Sequence, residues 1–285
     1  MKFPYAKHLI SDDDILSVTK VLKSESLTQG KVVEDFEYAL AKYLNCKSVI
    51  LCSSGTAALH LIYMAMGLNK DTAILTTPIT FLATAHAAKY TGAKVYFADV
   101  DHKTGLISED SVYAILKKSK NKIKALVLVH LGNKTCNLEK FKKIADEFGV
   151  ILIEDSCHAF GEIYIPNNKD SSMVGSANYS HASALSFHAI KNITTGEGGA
   201  VATNDEKLAN KIRLLRSHGS IRDKNWDNKK DRGPWYYENN LLGYNYRITD
   251  FQAALGMSQL KRLDSQNKYK YNLAKIYNNL LSDFK

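Results

Sequence analysis

Residues 150–159 read VILIEDSCHA, an apolar run that ends by delivering two carboxylates, Glu154 and Asp155. A strand of this composition fits the interior of a sheet covered by helices on both faces. Open sheets of that kind bind ligands at the carboxyl ends of their strands, which makes Asp155 a candidate site residue. A carboxylate buried there needs a cation or hydrogen-bond donors, because leaving it unpaired costs several kcal/mol. A protonated ring nitrogen of a heterocyclic cofactor would meet that need. At about 4 Å and an effective dielectric near 20 the pair gains about 4 kcal/mol, enough to hold the ring protonated at neutral pH. From this stretch alone, an Asp that caps the next turn is an equal alternative.

Outward from this strand, similar runs recur at SVILCS (48–53), AILTTP (73–78), KVYFAD (94–99), ALVLVHL (125–131), SALSF (183–187) and GAVATN (199–204). Helical spacing separates them at 56–67, 81–91, 108–118, 138–148 and 205–216, with a further helix at 36–45. The alternation predicts an α/β fold with a mainly parallel sheet of roughly seven strands and helices on both faces. From Thr249 to the end the pattern predicts one long helix, its interior interrupted only by Gly256. The charged loop 222–240, with Trp226, Pro234 and Trp235, is the candidate for a mobile or partner-contacting segment.

Two more segments carry chemistry. SSGTAAL (53–59) joins a strand to a helix, where Gly55 permits a tight turn and the free N–H groups of the helix start can cradle a phosphate. Taken alone, the same pattern more often serves as a simple helix cap. SALSFHAIKNITTGEGGAVATN (183–204) places Lys191 in a short loop between two strands, followed by Gly196, Gly198 and Gly199. A lysine set among apolar neighbours loses basicity and suits Schiff-base formation. It lies 36 residues after Asp155, room for one crossover between adjacent strands.

Composition narrows the class. The chain has 285 residues and is 45% hydrophobic, enough for a sizeable core, and holds no run of about 20 apolar residues. The N-terminus MKFPYAKHLISDDD lacks an apolar leader region, so a cytoplasmic protein is expected, with no membrane partner. Cys46, Cys52, Cys136 and Cys157 form no CxxC pair, which leaves neither metal-ligand nor disulfide spacing; Cys157 beside His158 is a minor candidate nucleophile. The net charge of +9 gathers partly in KKSKNKIK (117–124), where no aromatics interleave, so an anionic small substrate is favoured over nucleic acid.

SSGTAAL, TTPITFLATAHA, EDSCHA, SFHAIKNITTGEGGA, RSHG (216–219) and GYNYR (243–247) occur here in the order found in the DegT-type nucleotide-sugar aminotransferases, and SESLTQGK (24–31) also resembles that family. The resemblance covers nearly the whole chain. It implies a fold-type-I enzyme dependent on pyridoxal 5′-phosphate (PLP), moving an amino group from glutamate to a keto group on a nucleotide-linked deoxysugar. On matching positions, Lys191 would hold the cofactor as a Schiff base and shuttle a proton. Asp155 would pair the pyridine nitrogen, His158 would sit by the phenolic oxygen, and Phe81 would stack on the ring. Gly55, Thr56, Ala57 and Ser186 would hold the phosphate. Asn245 would reach the phosphate of a neighbouring subunit, making a homodimer part of the site.

Two departures stand out. His130-Leu131-Gly132 follow the fourth strand directly where relatives carry an aromatic. Relatives also continue into a small C-terminal domain. The resemblance therefore implies a PLP-binding large domain over 1–248 and, over 249–285, the helix that begins an otherwise largely missing small domain. A chain that holds PLP but is impaired in substrate binding, or serves as a scaffold, is the alternative expectation. A dehydratase branch carries His in place of the Schiff-base lysine, so Lys191 argues for amino transfer.

Overall fold

A computed structural model describes residues 6–119, 122–166, 170–221 and 235–284. Most of the segment 222–240 and part of the basic run 117–124 lie outside the described residues. The chain opens with α1 (Asp12–Leu22) and α2 (Lys31–Leu44), then β1 (Ser48–Cys52) and α3 (Gly55–Ala65). There follow β2 (Ala73–Thr76), α4 (Ala83–Tyr90), β3 (Lys94–Phe97), α5 (Glu109–Lys118) and β4 (Ile123–Val129). Next come α6 (Leu138–Phe148), β5 (Ile151–Asp155), a small hairpin of β6 (Ile163–Tyr164) and β7 (Ser172–Met173), and β8 (Ala182–Ser186). The chain continues through β9 (Gly199–Thr203) and α7 (Glu206–Arg216) to the short strands β10 (Ser220–Ile221) and β11 (Glu238–Asn239), then α8 (Asp250–Leu260) and α9 (Leu263–Leu280).

The seven expected strands form one sheet in the order β1-β9-β8-β5-β4-β2-β3. Strand β9 runs antiparallel to both neighbours, and the remaining pairings are parallel. Strand residues alternate between two faces, as the pleat requires. Ile50, Ile74, Val127 and Ile153 join the core under α3, α4 and α7, while Leu75, Leu126 and Leu152 face α5 and α6. A third cluster joins Leu51, Leu185 and Ala200 to Phe36 of α2 and Ala253 of α8. Each fully buried Leu, Ile or Phe contributes about 1.5–3 kcal/mol, so these layers account for the continuous apolar runs in the sequence. The register brings Val129, Asp155 and Ala184 side by side, so β4, β5 and β8 end at one sheet edge.

Besides the short strands β6, β7, β10 and β11, two helical segments differ from expectation. The segment after Thr249 forms two helices, not one long one. The break falls at Lys261–Arg262, where Arg262 N–H bonds Gln259 carbonyl in a tighter turn. The kink lets Leu263 bury completely and sends the Arg262 guanidinium 2.7 Å from Asp14. Helix α1 was not anticipated by apolar spacing; SDDD begins it through a capping box between Ser11 and Asp14. No helix among the described residues is long and apolar enough to cross a membrane.

Candidate functional site

At that sheet edge lies a cavity of about 620 Å³. Lys191 and Asp155 both line it, with His158, Phe81, Ser186, Gly55 and Thr56. Seven of the nine residues singled out from the sequence thus meet around one space. The other two stand off it. Ala57 is buried behind the cavity wall, and its N–H donates to Ser54 Oγ at 3.1 Å. Asn245 is exposed and pairs as an isolated bridge with Ser217.

The phosphate-cradle candidate is built by α3. Ser54 caps the helix, so its hydroxyl is used locally, as the cap reading of SSGTAAL expects. The N–H groups of Gly55 and Thr56 belong to the first turn, where no intrahelical acceptor exists. A Cβ at Gly55 would lie 2.9 Å from Ser186 Cβ and 3.2 Å from Cys157 Sγ. Glycine there keeps the helix start against β8, with the Ser186 and Thr56 side chains flanking the gap. The GYNYR segment braces this region: Tyr246 carbonyl accepts from Ser53 N–H at 2.8 Å, and its hydroxyl meets His60 Nδ1 at 3.1 Å on α3.

Asp155 is 6% exposed and carries a donor on each oxygen. Thr84 Oγ1 donates to Oδ2 at 2.7 Å, and Cys157 N–H donates to Oδ1 at 3.2 Å. Behind it, buried Glu154 accepts from Ser180 Oγ at 2.6 Å and lies 3.0 Å from His130 Nε2. His130 Nδ1 accepts the Cys136 N–H, which assigns the ring hydrogen to Nε2 and directs it at Glu154. The two adjacent carboxylates are therefore divided between roles: Glu154 is consumed in the core, and Asp155 faces the cavity.

Lys191 is half-buried in the loop between β8 and β9. Burial, followed by the Lys191 charge, holds the His158 imidazole below its usual range, so it is neutral at neutral pH. Burial, then the Asp155 charge, pushes the Cys157 thiol well above its usual range. That is the reverse of what a nucleophilic thiolate needs, and it corrects the minor candidacy of Cys157. Phe81 stands 66% exposed at the mouth, a large ring with little covering it. His188 and Glu197 flank the loop on the rim, 3.9 Å apart.

Thr84 and Thr80 were not singled out from the sequence, although both lie in the quoted TTPITFLATAHA. No sequence signal set them apart from Thr76 and Thr77 in the same stretch; Thr84 lies in the first turn of α4 and Thr80 just before it.

An amine, a shielded carboxylate, a neutral imidazole, an uncovered aromatic ring and a helix start cleared of side chain fit the donor set PLP requires. Comparison with known proteins agrees. The model of the DegT/DnrJ/EryC1/StrS aminotransferase family matches residues 8–285. The chain is 40% identical over 273 residues to a UDP-4-amino-4,6-dideoxy-N-acetyl-beta-L-altrosamine transaminase of Campylobacter jejuni, covering 96% of this chain and 68% of that protein. It is 38% identical over 274 residues to the spore coat polysaccharide biosynthesis protein SpsC of Bacillus subtilis, with the same coverages. Among solved structures, Helicobacter pylori PseC, an aminotransferase of pseudoaminic acid biosynthesis, superposes with a TM-score of 0.87 at 34% identity, over 99% of this chain and 71% of that one.

Proposed function

Since the chain belongs to the DegT/DnrJ/EryC1/StrS aminotransferase family, and its relatives include sugar aminotransferases that use PLP, we propose that it transfers an amino group from glutamate to the C4 keto group of a nucleotide-linked deoxysugar. The observation that carries this reading is the meeting of Lys191 and Asp155 on one cavity. Bound PLP supplies the electron sink on which amino and keto compounds exchange nitrogen. Lys191 Nζ would anchor the cofactor and would serve as the amine that carries the proton between the carbons that exchange it. Donor and acceptor would take turns in this one cavity, the first product leaving before the second substrate enters, which gives ping-pong kinetics. Asp155 would pair the ring nitrogen and keep it protonated, while neutral His158 would lie by the phenolic oxygen. Phe81 would stack on the ring face, worth about 0.5–1.5 kcal/mol beyond burial. Thr56, Ser186 and the first-turn N–H groups from Gly55 to Ala57 would receive the phosphate; with the Ala57 N–H already donating to Ser54, Gly55 and Thr56 would carry most of it.

The UDP-sugar named for the Campylobacter relatives, together with LTQGK and SFHAIK-then-ITT in this chain, favours a UDP-linked 4,6-dideoxy sugar as acceptor, within the pathway of the Helicobacter protein. We also infer a cytoplasmic homodimer. Its support is the exposed apolar group Ile79, Phe81 and Leu82 at the cavity mouth and the outward-facing Asn245, which would reach the phosphate held by the second copy.

Mixing the purified protein with PLP is expected to give the visible absorption band of lysine-bound cofactor, absent from Lys191→Ala. Glutamate should then bleach the band, and a 4-keto UDP-sugar should restore it. No band in the unmodified protein overturns the reading; a band without turnover would mark a PLP-binding scaffold instead.

A further inference from the structure

Asp155 is aimed by a chain of two hydroxyls. Thr84 is fully buried in the first turn of α4, and its Oγ1 lies 2.7 Å from both Asp155 Oδ2 and Thr80 Oγ1. A carboxylate only accepts, so the single Thr84 hydroxyl hydrogen goes to Asp155. The hydrogen between the two threonines must then come from Thr80. The chain runs one way, from Thr80 on the cavity wall through Thr84 to the carboxylate.

The backbone of Thr84 is tied down as well. Its carbonyl accepts from the Tyr63 hydroxyl at 3.1 Å, which joins α4 to α3, the helix of the phosphate cradle. Its N–H bonds the Phe81 carbonyl at 3.2 Å, so the turn that holds Thr84 also sets the uncovered Phe81 ring. One residue thus links the helix start, the ring at the mouth and the carboxylate on β5. Ordinary helix-start threonines bond their own backbone; this one crosses to another element 71 residues away.

We propose that Thr84, supported by Thr80, is the positioning residue that orients Asp155 toward the ring nitrogen of the cofactor and so sets the affinity for PLP. The inference rests on the reading of this cavity as the PLP pocket. With the hydroxyl removed, one carboxylate oxygen loses its fixed donor and turns toward whatever else can bond it, and the ring nitrogen meets a carboxylate no longer held in place.

The test uses the full chain and two ligands: PLP and 1-deaza-pyridoxal phosphate, in which C–H replaces the ring nitrogen. Thr84→Val keeps the shape and removes the hydroxyl; Thr84→Ser restores it. Titration of the visible band, or of intrinsic fluorescence, gives both dissociation constants. Thr84→Val is expected to weaken PLP about tenfold and the analogue by less than twofold, while Thr84→Ser binds both like the unmodified protein. A merely structural role would weaken both ligands alike, and that result, or no weakening at all, overturns the proposal. Should Thr84→Val fail to fold, Thr80→Val replaces it, with an expected loss of about threefold for PLP alone; equal losses again overturn it. Failure of the underlying reading looks different: the unmodified protein and Lys191→Ala would then bind PLP equally.

Discussion

At Gly55 the start of α3 approaches Ser186 so closely that a single methyl group would fall inside contact distance. The neighbour is the Cβ of a β8 residue in the middle of the sheet, which cannot swing away as the tip of a long side chain could. Gly55→Ala is therefore expected to push the helix start away from β8 and weaken PLP binding about tenfold, with a stability loss of about 1–3 kcal/mol from overpacking. Titration with PLP beside a thermal melt checks both; unchanged affinity would mean the cradle is not where the phosphate sits. At this scale much was legible: Gly55, Asp155 and Lys191 each stood out by position relative to a strand end. Thr84 did not, because a threonine inside ATAHA has no signature until the fold shows which carboxylate it meets.

Helix α2 shows how elements borrow from one another. Its N-cap is Gly30, which has no side chain to accept the free N–H groups. Buried Asp250, at the start of α8, accepts from Gly30 N–H at 2.8 Å and Val33 N–H at 3.2 Å. A carboxylate at a helix start also answers the dipole. Asp250→Ala should destabilise the fold by about 1–2 kcal/mol, read as a drop in the denaturant midpoint, because buried donors lose their acceptor. A neutral result would show that water replaces the carboxylate. The same helix pair explains Gly256, which reads as a weak point in a long helix. A Cβ there would lie 2.5 Å from Phe36 Cε1, so the glycine lets α8 press on α2. The true break comes five residues later, at Lys261–Arg262, where ordinary helix formers give no warning.

Across the whole molecule, Asp14 ties the chain's opening to its closing helices. It accepts from Gln259 Nε2 at 2.8 Å, Arg262 at 2.7 Å and Ser11 N–H at 2.9 Å. Burial works to raise its pKa, but the hydrogen bonds from Ser258, Ser11 and Arg262 outweigh it, and the net direction is down. A carboxyl depressed in the folded state adds stability above its unfolded pKa, near about 4, and loses it as pH falls through the folded value. The melting temperature should therefore drop on acidification below about pH 4. Asp14→Asn should be less stable by about 2 kcal/mol at neutral pH and show a flatter acid limb. An acid limb unchanged in the variant would move the effect to other carboxylates.

By itself the sequence determined the α/β class and the seven strands of the main sheet, and it singled out Lys191 and Asp155, which line one cavity. These follow from local patterns: continuous apolar runs require two covered faces, and polar residues at strand ends have few other places to go. The tertiary structure alone decided the sheet order with β9 reversed, the division of labour between Glu154 and Asp155, the Thr80–Thr84 chain and the break before α9. Each of these depends on which distant group arrives at a given atom, and the energy of a buried hydrogen bond or an ion pair exists only once both partners are in place.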